Sequence, residues 1–434
     1  MAKSKKQRLE RWRKRVTAAS TVVKQVTPDL PPNGKSYDQI EYPQYTHPDS
    51  HPRKLEMIAT LFGMKPPPTA TCSVLELGCA TGSNLIPMAF DLPDAKFVGV
   101  DYSAKQIEKA KVVVSQKSLT NIHFHHIDIM NIDDTWGQFD YIICYGIFSW
   151  VPLVVQQKVL EICKQNLSRD GVALICYNTY PGWHSLNIIR DAMLYHNRAF
   201  KTSDEQLASA RSILPFLIEN MEATPAYKLL LTELSDQIKE AEDAYLFHDH
   251  LEKENNPCYF REFIDEVNKT SLQYLGETDL GTMYGKPFSQ KVHDVMRGGS
   301  IVEQGQYFDF LCNRSFRKSL VCHTTNILHK TPDRSVLKRA VVCLNQKTIQ
   351  LESDAQNREL SLYESKVGIL SIDKPSLKFA VNTLIDLYPG DISFEQLYQK
   401  TKSQFPQTQL PVTDFIDDLF HLLEIRFLDF WIEY

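Results

Sequence analysis

The sequence predicts an α/β protein built on a doubly wound, Rossmann-like sheet, followed by a mainly helical part and a C-terminal winged-helix-like α+β part. Three observations predict it. A glycine-rich turn links an apolar run, Val74–Leu77, to a helical pattern from Asn84, and a second run, Lys96–Val100, ends at Asp101. Apolar runs and amphipathic stretches then alternate as far as Tyr177, the signature of βαβ units and a parallel sheet. From about Tyr195 the pattern turns helical, and the last hundred residues hold short apolar runs among three helical stretches.

The first βαβ unit carries the chemistry. Glycines let a backbone turn approach a ligand closely, and an acid ending the second strand suits ribose hydroxyls. The turn reads E-x-G-x-A-x-G over Glu76–Gly82, with Ser83-Asn84 opening the helix. It differs from G-x-G-x-x-G, whose third glycine sets the helix on a pyrophosphate. No Lys-Ser/Thr follows, so it is not a P-loop. An acid two residues before the first glycine suits a ligand with a cationic end, and S-adenosylmethionine has both an ammonium and a sulfonium. The turn resembles motif I of the class I methyltransferases. Ala80 stands where glycine is commoner and narrows the loop.

Downstream, Ser103–Ser118 reads as a helix with Ser103 as N-cap. Ile122–Ile127, Phe139–Cys144 and Gly171–Tyr177 read as strands, with Pro152–Asn166 a helix between the last two. Upstream, His51–Phe62 places Leu55, Ile58, Ala59 and Phe62 on one helix face, while Ser36–Pro52 is aromatic, proline-rich and without a period. Ser203–Ala223, Lys228–Asp249 and Phe308–Asn326 read as helices, and Lys338–Leu370 as short strands. Lys374–Leu387, Ser393–Phe405 and Thr413–Glu424 are the C-terminal helices, and Phe427–Tyr434 a last strand. The expected organisation is a basic, disordered arm over 1–35, a cofactor-binding domain over 36–200, a helical middle domain over 201–305 and the winged-helix-like domain over 306–434.

Composition bounds the rest. The chain has 434 residues, 43% hydrophobic and 23% charged, ordinary values for globular domains and too long for one core. Nine cysteines without a C-x-x-C pair argue against a zinc site and a disulfide framework and point to a reducing cytoplasm. No signal-type segment and no membrane-spanning run is read. Residues 1–36 carry a charge of +8 and the remainder −13. The body therefore repels nucleic acid, and only the basic arm suits RNA, membrane or an acidic protein. TDFIDDLFHLLE, the last helix, has no Lys or Arg and is a poor groove reader.

Four further segments complete a family resemblance: YDQIEYPQYTHPDSHPRKLEMIATLFGM (37–64), FDYIICYGIFSWVP (139–152), YNTYPGWH (177–184) and YLFHDHLEKENNPCYF (245–260). With LELGCATGSNLIPMA (75–89), the chain resembles bacterial methyltransferases that carry a methyltransferase regulatory domain, from about Ser36 to Cys322. The best-described of these are rickettsial protein lysine methyltransferases that modify outer-membrane proteins. The resemblance implies that Glu76, Gly78 and Gly82 line the methionine part of S-adenosylmethionine, with Asn84 as a polar contact. It implies Asp101 on the ribose hydroxyls, Tyr102 on the adenine face, and Asp128 with the Ile129 N–H at the adenine edge. The implied partner is a protein with accessible lysines, such as a surface or outer-membrane protein.

Methyl transfer needs an aligned neutral nucleophile, and aromatic faces attract both a cationic amine and a sulfonium. Tyr145, Trp150, Tyr180 and Trp183 fall at the ends of the fourth and fifth strands, where such a wall belongs, or else pack a core. His184, at a helix start, is a capping or a catalytic histidine. His123–His126 and His248–His250 have metal-like composition, but alternation splits the first across two sheet faces, and methyl transfer needs no metal. Besides a protein lysine acceptor, two readings stay open: methylation of a small molecule or RNA, and a cofactor-binding interaction protein with little catalysis.

Overall fold

The computed structural model describes residues 40, 44–284, 289–351, 360–366 and 368–432. The basic arm over 1–35 and the expected helix Lys3–Val16 lie outside the described residues. The chain divides into two compact units. One comprises Gly182–Asn255 with Ile40 and Gln44, and the other Tyr45–Pro181 with Asn256–Tyr434.

The larger unit holds the sheet. In chain order its first elements are α1 (Pro52–Leu61), β1 (Ser73–Leu77), α2 (Leu85–Asp91), β2 (Lys96–Asp101), α3 (Ala104–Gln116) and β3 (Ile122–His126). Then come β4 (Phe139–Cys144), α4 (Leu153–Asn166) and β5 (Leu167–Asn178). Pro52 opens α1 behind His51, whose side chain accepts from the Arg53 N–H. Ser103 caps α3 as its position predicts, accepting from the Gln106 N–H. The strands β1 to β5 pair in parallel in the order β3-β2-β1-β4-β5, with Leu77 beside both Val100 and Cys144.

In the smaller unit, α5 (Gly182–Asn197), α6 (Ser203–Asn220) and α7 (Pro225–Lys239) precede a π-helical turn, Leu246–Leu251. Thr202 and Glu205 form a reciprocal capping box at the start of α6. Ile189, Met193, Leu214, Leu231, Leu234 and Leu246 belong to its buried core.

The chain then returns to the larger unit with α8 (Phe260–Lys269), β6 (Leu272–Glu277), α9 (Ile301–Cys312) and β7 (Phe316–His323). This corrects the helix expected over Phe308–Asn326. Asn313 adopts a left-handed conformation (φ 50°) and ends α9, and the buried run Leu320–Cys322 continues as a strand. β7 inserts antiparallel between β5 and β6, so the sheet has seven strands, ordered β3-β2-β1-β4-β5-β7-β6.

The C-terminal part adds β8 (Ala340–Leu344), a ribbon of β9 (Ile349–Gln350), β10 (Ser361–Ser365) and β11 (Gly368–Ile372), then α10 (Pro375–Leu387) and β12 (Asp391–Ser393). It ends with α11 (Phe394–Gln404), α12 (Val412–Glu424) and β13 (Leu428–Ile432). A small antiparallel sheet, β12-β8-β13, packs with the three helices in a winged-helix-like arrangement. Two of the acids on α12 are paired, Asp417 with Arg334 (2.7 Å) and Asp418 with Lys374 (2.6 Å). Among the described residues no helix is long and apolar enough to cross a membrane.

Candidate active site

The site is built where β1, β2 and β4 end. Carboxyl ends of parallel strands are where such sheets bind ligands. The Gly78 and Cys79 N–H groups donate to the Val100 carbonyl at 2.8 and 3.0 Å, which folds the turn against β2. Gly78 and Gly82 have φ of +71° and +73°. A Cβ on Gly82 would stand 2.4 Å from the Phe124 ring, so only glycine fits there. Ala80, too, has a positive φ, 48°, the cost of lacking a glycine at that point.

Two acids face the turn from adjacent strands. Asp101 ends β2; one oxygen accepts from the Ala80 N–H (2.9 Å) and the other from the Ser103 N–H (2.8 Å). Burial pushes its carboxyl above the ordinary range against those bonds. Glu76 is 3% exposed. Its Oε1 accepts from the Asn84 amide at 2.7 Å, while Oε2 is buried with no hydrogen-bond partner among the described residues. Burial pushes this carboxyl up to about 7, with the Asn84 bond opposing and the nearby Asp101 charge adding to the rise. A buried carboxylate oxygen without a partner is costly unless a ligand supplies a donor. A cationic amine fits that requirement, and the carboxylate of Asp101 fits a pair of hydroxyls.

The segment Tyr45–Ser50 crosses the turn, an arrangement that has no period in the sequence to announce it. The Ser83 hydroxyl donates to the Tyr45 carbonyl (3.1 Å), and the His47 N–H donates to Asn84 Oδ1 (2.9 Å). The Asn84 amide also donates to Ser50 Oγ at 3.0 Å. Asn84 thus ties this strap to Glu76, a role its position at a helix start does not disclose. The His47 ring stacks on Tyr145, with centroids 3.7 Å apart and planes 14° apart. Asp49 pairs with Lys318 on β7.

The other sequence-predicted residues fall as follows. Tyr102 is exposed and meets His126 edge-on at 6.4 Å. Asp128 caps a short 3-10 turn, Ile129–Asn131, accepting from the Met130 N–H at 2.9 Å. Ile129 is half-buried against the core. Tyr145 follows directly after β4, half-buried between His47 and Phe316. Trp150 ends a 3-10 turn, Phe148–Trp150, whose Ser149 hydroxyl accepts from the Asn178 N–H (2.8 Å). Tyr180 stacks obliquely on Tyr259, 5.3 Å between centroids. Trp183 and His184 open α5 in the smaller unit, Trp183 buried and His184 exposed. The structure therefore gathers Glu76, Gly78, Gly82, Asn84, Asp101 and Tyr145 at adjoining strand ends. It places Trp183 and His184 in a different compact unit.

Among the described residues no three His, Cys, Asp or Glu side chains are placed to hold an ion. His123 and His125 project from the exposed face of β3, while His248 and His250 are buried in the π-helical turn.

Comparison with known proteins agrees with this geometry. A methyltransferase domain model matches residues 68–243, and the model of a predicted methyltransferase regulatory domain matches residues 242–323. An uncharacterised protein of Rickettsia prowazekii is 38% identical over 383 residues, covering 86% of this chain and 69% of that protein. A second from the same organism is 37% identical over 244 residues, covering 56% of this chain and 98% of its own. The structure of PKMT2 from Rickettsia typhi, also solved in complex with AdoHcy, superposes with a TM-score of 0.78. It is 30% identical, covering 90% of this chain and 77% of that one. Match, fold and strand-end acids converge: the chain belongs to the S-adenosylmethionine-dependent class I methyltransferases that carry a methyltransferase regulatory domain, alongside those of rickettsiae.

Proposed function

We propose that this methyltransferase acts on lysine amines of a protein acceptor. The observation that carries the reading is the likeness to rickettsial PKMT2 over 90% of the chain, well beyond the cofactor-binding sheet. Smaller methyltransferases do without the additional helical and C-terminal parts, and a large acceptor gives such parts a use.

When bound, the cofactor supplies an electrophilic methyl group on a sulfonium. Glu76 Oε2 takes the ammonium of its methionine end, and the glycines at 78 and 82 let backbone close on that end. Asp101, held from behind by the Ala80 and Ser103 N–H groups, presents its remaining lone pairs to the ribose hydroxyls. Tyr102 covers the adenine, and Asp128 with the Ile129 N–H reads its edge. Tyr145 and Trp150 line the acceptor side. A lysine amine with a reference pKa near ~10.4 must first lose a proton to water, which desolvation against aromatic faces favours. Its nitrogen then bonds to the methyl carbon as the carbon–sulfur bond breaks, the electron pair staying on sulfur.

The test uses methyl-labelled S-adenosylmethionine with a bacterial protein extract whose lysines are either intact or chemically blocked. Label entering only the intact sample supports the reading. Equal label in both rules lysine out, and label confined to RNA or small molecules replaces the acceptor class.

A further inference from the structure

The strap Tyr45–Ser50 is anchored through its backbone. The His47 N–H is held by Asn84, the Tyr45 carbonyl by Ser83, and the His47 carbonyl accepts from its neighbour Ser50 Oγ at 2.7 Å. Those bonds do not use the His47 side chain. They nevertheless fix where it goes, onto the ring of Tyr145, the residue after β4. Leu77 and Cys144 are register partners, so Gly78 and Tyr145 are the next residues on neighbouring strands. His47 therefore stands beside the site, its backbone N–H two hydrogen bonds from Glu76 by way of Asn84 and its imidazole on Tyr145.

We propose that His47 is an acceptor-contacting residue of the methyl-transfer site, its imidazole hydrogen-bonding the incoming amine beside Tyr145. The proposal rests on the amine-acceptor reading above. A group at this place must satisfy two conditions. It must offer a lone pair to an N–H of the amine, and it must not add positive charge beside a sulfonium. A protonated histidine meets neither. Burial, reinforced by the Lys318 charge and opposed by Asp49, holds His47 down at about 4, so the ring is neutral at pH 7 and keeps one acceptor nitrogen. Among the described residues no hydrogen bond engages either ring nitrogen of His47, so that nitrogen is available to a ligand. Stacking on Tyr145 leaves the ring edge, where the nitrogens lie, as the part that meets substrate.

A purely structural histidine, present only to stack, predicts the opposite ranking of variants. H47F keeps a flat ring on Tyr145 and loses both nitrogens. H47N keeps a hydrogen-bonding side chain of similar reach and loses the stack. Full-length variants are assayed with labelled S-adenosylmethionine and two probes, poly-L-lysine and a bacterial outer-membrane protein extract. AdoHcy affinity and thermal stability are measured alongside. The expected result is that H47F binds AdoHcy within about threefold of wild type, while acceptor kcat/KM falls about tenfold or more. H47N retains more activity than H47F. Wild-type turnover in H47F, or H47N falling below H47F, overturns the assignment while leaving the lysine reading intact. A wild type that labels neither probe overturns the lysine reading itself and this assignment with it.

Discussion

Glu76 is the residue whose chemistry reaches furthest. One oxygen is bonded to Asn84 and the other has no partner among the described residues, in a position too buried for water to compensate. Its carboxyl lies at about 7, above the ordinary value of 4.5. Between those two values the folded chain holds a proton that the unfolded chain has released. The stabilisation from the neutral acid is therefore complete below the unfolded value and is lost as pH rises towards about 7. An ammonium placed on Oε2 reverses the preference, because it favours the carboxylate. Cofactor binding near pH 6 should thus release close to one proton from the protein, and affinity should climb as pH rises through about 7. Calorimetry in buffers of different ionisation enthalpy measures the release, and Glu76→Gln should abolish it. A flat affinity with no release would take Glu76 out of the site. Asp101 makes a companion case. Asp101→Ala removes the proposed ribose contacts and frees the Ala80 and Ser103 N–H groups, so AdoHcy binding should weaken by about 1–3 kcal/mol, and equal affinity in the variant would exclude it.

At the scale of elements, what was legible follows from period and from sequence distance. The turn at Gly78–Gly82, the strands β1 to β5 and the acid at 101 are local patterns, and the fold uses them as read. β7 was missed because Arg317 and Lys318 interrupt its apolar run, and charged residues argue against a buried strand. The structure shows why they are allowed there. Arg317, 2% exposed, bonds Glu277 at the end of β6 (2.6 Å) and Asp309 on α9 (2.8 Å), and its guanidinium lies 3.6 Å from the centre of the Phe260 ring on α8. One cation thus joins β7 to three other elements, and two of its partners, Glu277 and Phe260, lie 40 or more residues away. The strap at 45–50 was missed for a related reason: its partners Ser83, Asn84 and Tyr145 are fixed by tertiary folding alone. Arg317→Met should strand the buried Glu277 carboxylate and leave Asp309 with Arg314 alone (2.6 Å), at a cost of about 3–5 kcal/mol seen as a lower denaturation midpoint. A loss under about 1 kcal/mol would mean the network is solvated.

At the scale of the whole molecule, the C-terminal part is joined to the catalytic sheet through α1. Leu55 and Ile58 on α1 share one continuous core with Phe420, Leu423 and Phe430. Lys54, on the same helix, pairs with Asp429 on β13, and Arg426 pairs with Asp279 just beyond β6. Lys54 is largely buried, its side chain 13% exposed, so its charge depends on that partner. Because α1 runs directly on from the strap, a shift of this helix should reach His47 and Asn84. Asp429→Asn should therefore do two things. It should cost stability, by an amount between the about 0–1 kcal/mol of an exposed pair and the about 3–5 kcal/mol of a stranded buried charge. It should also weaken AdoHcy binding, although Asp429 belongs to none of the elements that form the site. Lys54→Met combined with Asp429→Leu removes both charges and keeps the bulk, and should recover most of both losses. The double-mutant cycle reads the coupling directly. If Asp429→Asn lowers the melting temperature with AdoHcy affinity unchanged, the C-terminal part stabilises the sheet without setting the strap.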